Sequence, residues 1–452
     1  MNKSITSSKS ALHSNWLVPV WLVAVTLVMA AQLFVEINRY AVNLLYLDQW
    51  DAYDTLFREK PFFQSFMAQA GQLRLGVGGW ISNVTAIATN WNTRSESFVI
   101  GFLMLLVALA AFYLKWRLFS KFVIWDALIA LICLSMALTD VPVYAAFPSH
   151  SVVPALLLMV FAICLTIKNV KLRFVALAVL NFLTMFTGWG IFIGVLSPIV
   201  FSYLFVKYRR VGDGVANRWA GIALVASVLS LLLFVSTNRF STGVGCFTFP
   251  HFPLQDNFRF ISKMFSYSVG LRCVNVLSMY VGPLFILAFI VVLLNRVWRL
   301  WQAEEYDAES LVISFLISFS ILYALATTVG RVCLGDCASN AGRYQPLLIP
   351  AWIGLYFGVV AIESRFHVSR IALLILTFCF LTPQWKSARY ESSMAYFRTT
   401  KTRWKDCYLQ KEDVVTCDRE AGEGINPPSP SSIEQERLDY LKARHLNLFA
   451  DK

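Results

Sequence analysis

Charge is scarce in this chain. Asp, Glu, Lys and Arg supply 15% of its 452 residues, where a soluble protein carries about a quarter. So few ionic groups exclude an ordinary water-soluble globule. Histidine is scarcer still, with five in all. No Walker-type phosphate loop, dinucleotide fingerprint or His-Glu-x-x-His pair occurs, which excludes the nucleotide and zinc chemistry those motifs carry. Internal repeats are lacking, and the interiors of the apolar runs are almost free of charge. Both absences speak against a transporter, whose charged or broken helices sit near the membrane midplane.

What is present is hydrophobic. Apolar residues make up 57% of the chain and come in runs of about 18 or more, the length that spans a bilayer. Eleven runs read as spans, at roughly 16–35, 97–114, 122–139, 151–167, 173–187, 189–206, 219–237, 276–295, 309–328, 346–362 and 370–383. The fold class expected is an all-α polytopic membrane protein. The first run lacks a small-residue cleavage site and is read as a retained helix. Spans five and six are divided only by Thr187-Gly188-Trp189-Gly190, a tight turn.

The net charge of +12 invites a nucleic-acid reading, but most cations lie in short loops between runs. Lys115, Arg117 and Lys121 follow span two. Lys168, Lys171 and Arg173 follow span four. Lys207, Arg209, Arg210 and Arg218 follow span six, Arg296 and Arg299 span eight, and Arg365 and Arg370 span ten. All fall on one side, which the positive-inside rule makes cytoplasmic. An odd span count then leaves the C-terminus outside, with no nucleic-acid partner required.

Nine cysteines fit that orientation. Cys133, Cys164 and Cys379 lie inside spans. The other six fall in outer segments as Cys246 with Cys273, Cys333 with Cys337, and Cys407 with Cys417, which suits disulfides in an oxidising compartment. Metal binding is the alternative for Cys333-x-x-x-Cys337. Outer segments are long: 36–96, 238–275 and a soluble tail, 384–452, set apart from a membrane domain over 1–383. In the first, Phe62, Phe66, Leu73, Val77, Trp80 and Val84 recur near helical spacing, with Gln64, Gln69, Gln72 and Arg74 interleaved. This predicts an interfacial helix. Gly76-Val77-Gly78-Gly79 reads as close helix packing, and Asn83-Val84-Thr85 is a weak glycosylation triplet. In the tail, Pro427-Pro428-Ser429-Pro430 breaks structure and Ser431-Ser432-Ile433-Glu434 resembles a capping box opening a last helix to about His445.

Carboxylates are costly in hydrocarbon, so the cluster Asp48-Gln49-Trp50-Asp51, with Asp54 behind, is informative just past span one. Its bland reading is a span that has ended in water. The sharper one is a reaction at the membrane surface, with Asp48 or Asp51 as general base or as ligand of a divalent cation; the sequence demands no cofactor. Asp140 ends span three, His150 precedes span four, and Arg343-Tyr344 precedes span ten. With Arg74 these polar groups sit at outer span ends and are expected to form one pocket. A carboxylate deprotonates a hydroxyl, and arginines hold a phosphate as leaving group.

With those residues in place, the chain resembles a bacterial member of the C-type (GT-C) glycosyltransferase superfamily, polytopic enzymes that take a sugar from a polyprenyl-phosphate carrier. The features carrying the resemblance are Asp48-Gln49-Trp50-Asp51 in a first outer loop with interfacial helices, Asp140 at the outer end of span three, Arg343-Tyr344 before a late span, and an extracytoplasmic C-terminal segment. The resemblance implies Asp48 or Asp51 as base or metal holder, Asp140 as a second acid, and Arg74, His150, Arg343 and Tyr344 as substrate contacts. Leu73-Arg74 stands where related bacterial proteins often carry a His-Arg pair. The most similar bacterial members include glucosyltransferases that modify the O-antigen of lipopolysaccharide. The expectation is an inner-membrane hexosyltransferase facing the periplasm, with a polyprenyl-phosphate-linked sugar as donor, a surface or lipid-linked glycan as acceptor, and one inverting displacement. An O-antigen polymerase or ligase, and a flippase, are the alternatives.

Overall fold

The structure is a computed structural model describing residues 16–71, 73–144, 147–239, 245–362, 366–385, 388–425 and 431–450. Gln72, Arg365, the segment Met1–Asn15 and the run Pro427–Pro430 lie outside the described residues, as do the side chains of Ser431 and Ser432. The longer helices are α1 (Leu17–Tyr40), α2 (Gly76–Ala88), α3 (Thr93–Phe119), α4 (Ala127–Cys133), α5 (Val152–Leu165), α6 (Val170–Met185), α7 (Ile193–Val211) and α8 (Gly214–Thr237). They continue with α9 (Leu254–Tyr267), α10 (Ser278–Gln302), α11 (Ala308–Arg331), α12 (Ile349–Val360), α13 (Phe366–Leu381), α14 (Ala388–Lys411), α15 (Val414–Ala421) and α16 (Ser431–Ala443).

Among the described residues, six helices are long and apolar enough to cross a membrane: α1, α3, α7 with its preceding turn, α8, α10 and α11 with its following turn. The chain is a multi-pass membrane protein. Each remaining apolar run carries a shorter helix. Side-chain caps set several starts: Asn92 for α3, Asn169 for α6, Asp213 for α8 and Asp307 for α11 each accept a bond from a first-turn N–H, satisfying donors that a helix leaves open. Spans five and six are separate, with the break at Gly188, where φ is +53°.

Two segments differ from the sequence reading. Residues 122–139 are not one continuous helix but α4 flanked by short turns at Ile124–Asp126 and Met136–Leu138. Ser135 accepts from the Ala137 N–H and Gln384 accepts from the Met136 N–H, so side chains replace the helical bonds. The stretch from Phe62 to Val84 is also not one helix. A turn at Gln64–Met67 leads into a two-residue hairpin, β1 (Gln69–Ala70) against β2 (Leu73–Arg74), and α2 starts only at Gly76. The chain reverses at Gly71, with φ +58°.

The basic ends are joined to one another. Arg117 donates to Thr166, the Tyr306 hydroxyl to the Leu165 carbonyl, and Arg173 to the Tyr208 hydroxyl. Lys207 donates to the Ala303 carbonyl and Arg296 pairs with Glu309 at 2.8 Å. These cations thus carry packing as well as any topological signal.

At the other ends of the helices lies a second hydrophobic core, built jointly by the first loop and the tail. Leu44, Leu45, Trp50, Tyr53 and Trp91 meet Trp404, Tyr408, Leu438, Leu441, Leu448 and Phe449. Asn447 is the central polar link. It donates to Asn43 and to the Trp91 carbonyl and accepts from the Leu45 N–H. Arg437 donates to the Trp50 carbonyl and to Asp54, both at 2.9 Å. Lys401 donates to the carbonyls of Val143 and Tyr144; its burial pulls the ammonium down to about 7.

All six outer cysteines are paired, and Cys407–Cys417 joins as expected. The other two bridges correct the reading. They run Cys246–Cys333 and Cys273–Cys337, between segments rather than within them. The 246–273 excursion packs through α9 on the turn Asp336–Asn340, so each thiol meets a partner from the other segment. Cys333 and Cys337 are thereby committed to disulfides, not to a metal.

Candidate active site

The acid cluster sits where α1 has ended and the chain turns back over the bundle. Leu47 takes φ +50° and donates its N–H to the Ile425 carbonyl at 2.7 Å, so the tail fixes this corner. Asp48 begins the helical turn Gln49–Ala52, which brings Asp51 onto the same side. Asp48, Asp51, His150 and Arg343 line one cavity of ≈ 230 Å³. Ala70, Gly71 and Leu73 of the hairpin, Trp189 and Arg331 complete its wall.

Asp48 is central. Its Oδ2 lies 3.2 Å from Arg343 Nη1 and 3.7 Å from His150 Nε2. Burial holds the imidazole down to about 4, with Asp48 opposing that shift and Arg343 and Arg331 adding to it. The His150 contact is therefore a neutral one near pH 7, and Arg343 is the cation paired with Asp48. Burial raises the Asp51 carboxyl, Arg437 opposes, and Asp48 and Asp54 reinforce.

Close backbone contacts place His150. Ser149 donates its hydroxyl to the Leu75 carbonyl at 2.7 Å, and the Trp189 N–H reaches the His150 carbonyl. A Cβ on Gly78 or Gly188 would overlap Ser149, so the Gly-rich start of α2 is indeed a close-packing surface. Arg343 is placed by the turn Gly342–Leu347. There Ser268 donates to Gln345 Oε1 at 2.6 Å, and Gln345 donates to the Met264 carbonyl at 3.2 Å.

Three expected site residues stand outside the cavity wall. Arg74 is on β2, not on a helix. Successive strand side chains point to opposite faces, so with Leu73 in the wall Arg74 faces away, donating to the carbonyls of Met67 and Thr237. Asp140 lies behind the wall against Gly342, where a Cβ would overlap its carboxyl. Burial pushes that carboxyl up to about 7, with Arg272 opposing. Tyr344 is buried beneath Arg343, whose guanidinium lies 5.7 Å from the ring centre. Tyr344 thus acts on Arg343 from behind, and Asp140 packs on the neighbouring Gly342.

Arg331 and Trp189 were not singled out from the sequence. Arg331 had a signal: it is a cation just beyond the apolar run 309–328, at the end opposite the basic loops, so topology gives no reason for it. Trp189 had none beyond its place in a tight turn. Among the described residues no three His, Cys, Asp or Glu side chains gather as a metal-binding group. The cavity thus sets two carboxylates and a neutral imidazole against two guanidinium groups. That set can take a proton from one reactant and hold an anion of another.

No family model matches the chain, and no curated protein matches it. Among solved structures, ArnT from Cupriavidus metallidurans bound to undecaprenyl phosphate is similar to it over 88% of this chain and 72% of that one, at 15% identity and a TM-score of 0.41.

Proposed function

We propose that the chain is a membrane glycosyltransferase that moves a sugar from a polyprenyl-phosphate carrier to a surface or lipid-linked glycan on the extracytoplasmic side. The observation that carries this reading is the facing of Asp48 and Asp51 by Arg331 and Arg343 in one cavity at the ends of the apolar helices. A carboxylate pair alone suits many reactions, and an arginine pair alone suits anion binding. Together, at membrane depth, they suit transfer from a lipid phosphate.

In this reading an acceptor hydroxyl attacks the anomeric carbon on the face opposite the phosphate. The new carbon–oxygen bond forms as the bond to the phosphate oxygen breaks, and the configuration inverts. Asp48 takes the hydroxyl proton. Arg331 and Arg343 bind the departing phosphate, so Arg74 is replaced in that role by Arg331. Asp48 is tied to Arg343; a phosphate that draws Arg343 to itself frees Asp48 as base. The fully buried neighbours of Arg343 hold its turn while the guanidinium moves.

The test is transfer from a labelled polyprenyl-phosphate sugar in membranes. Asp48→Asn keeps shape and removes proton affinity, and a general base is worth roughly 10²–10⁴-fold in rate. Arg331→Ala and Arg343→Ala are expected to raise KM for the donor. Wild-type transfer by all three variants would sink the assignment.

A further inference from the structure

A polar cavity of ≈ 630 Å³ lies between the end of α1 and the tail helix α14, which pack on each other. It shares no lining residue with the acid cavity. Helical periodicity gives α14 two faces. Lys401, Trp404 and Tyr408 lie on one, each buried. Arg398, Thr402, Arg403 and Asp406 lie on the opposite one and line the cavity, together with Arg39 from the last turn of α1. Cys407, bridged to Cys417, fixes the side of the wall next to α15.

Charge in this cavity is unbalanced. Among the described residues, Arg398 and Arg403 make no ion pair or hydrogen bond, and Arg39 only meets the Tyr40 ring, 5.2 Å from its centre. Glu420, one of the two carboxylates in the wall, is paired with Lys411. Three permanent cations therefore face Asp406 alone, a surplus that suits a phosphate. Depth selects the source of that phosphate. α1 is one of the spanning helices, so its last turn lies near the headgroups. Trp385, 77% exposed just ahead of α14, and Tyr396, 53% exposed on α14, are the kind of side chain that marks this level. Phosphates there belong to lipid headgroups. A zwitterionic headgroup brings a cation of its own, which the arginines repel, so the surplus favours an anionic one.

We propose that this cavity binds the headgroup of an anionic phospholipid, with Arg39, Arg398 and Arg403 around its phosphate. The lipid bridges α1 and α14 in the leaflet where α1 ends. It thereby clamps the tail, whose Ile425 carbonyl holds Leu47 next to Asp48, to the first span. The sugar donor has no part in this contact, because its carrier phosphate belongs to Arg331 and Arg343 in the other cavity.

Two binding measurements on the full-length protein in bilayers test it, and their outcome is separate from that of the transfer assay. In the first, a photoreactive amino acid replaces Thr402, and capture of radioactive phosphatidylglycerol is compared with capture of radioactive phosphatidylcholine. Preferential capture of phosphatidylglycerol is expected; equal capture of the two overturns the site. Arg398→Gln with Arg403→Gln is expected to weaken that capture roughly tenfold or more, from the charge removed. Lys60→Gln with Arg419→Gln removes the same charge outside the cavity and is expected to leave capture unchanged. Equal loss in both pairs would reduce the effect to a general surface field and overturn the site. The second is thermal unfolding. Adding phosphatidylglycerol to phosphatidylcholine vesicles is expected to raise Tm of the wild type and not of the Arg398→Gln, Arg403→Gln variant. The same rise from inorganic phosphate or a soluble acidic polysaccharide, in phosphatidylcholine alone, would give the cavity to a soluble anion and overturn the lipid.

Discussion

Asp48 has two neighbours of different kinds, a permanent cation and a neutral imidazole. Their difference predicts a pH effect. His150 sits at about 4 in the folded protein against an ordinary 6.5, so between those values the unfolded chain binds more protons. Its contribution to stability is whole above 6.5 and is lost as pH falls toward 4. Asp140, raised from 3.8 to about 7, acts with the opposite sign: its share is present below 3.8 and lost as pH rises toward 7. Comparing wild type with His150→Gln isolates the histidine, because Asp140 is common to both. Thermal unfolding in detergent is expected to show the wild type losing stability more steeply than the variant from pH 6.5 to 4. Parallel curves would remove the imidazole from the account. Residue by residue, Asp48, Asp51, His150 and Arg343 were legible in the sequence, because each is a polar group at the end of an apolar run. The orientation of Arg74 was not, because a hairpin around Gly71 offers no periodicity long enough to read.

Elements were legible in proportion to how strongly the bilayer constrains them. An apolar run must close its own backbone hydrogen bonds in lipid, so α1, α3, α8, α10 and α11 follow from composition. The broken helix around α4 does not. Its replacement bonds come from Ser135 and from Gln384, the latter far along the chain. Cysteine pairing failed for a similar reason: spacing shows which thiols share a compartment, and only packing shows which meet. The bridges span 87 and 64 residues, and closing loops of that length in the unfolded chain is worth roughly 4 kcal/mol each in the chain-entropy model. Peptide mapping of unreduced protein is expected to join the Cys246 peptide to that of Cys333, and the Cys273 peptide to that of Cys337. A Cys246–Cys273 link would contradict the arrangement.

At the scale of the whole molecule, loop and tail are one body. Trp50 and Trp404 are both fully buried in their shared core, so the two segments must lie on the same side of the bilayer. The positive-inside rule predicts that this side is the outer one, and an alkaline phosphatase fused after Lys452 is expected to be active. Activity of a cytoplasmic reporter there, and not of the phosphatase, would reverse the orientation. The Asn447 contacts have a further consequence for how the protein is made. The corner that presents Asp48 is emitted early by the ribosome, yet its Asn43 and Leu45 wait for a partner about four hundred positions later. Every apolar helix precedes that partner in the chain. A product cut short ahead of Asn447 therefore keeps every helix of the membrane domain while Asn43 and Leu45 lack the Asn447 bonds that hold the Asp48 corner.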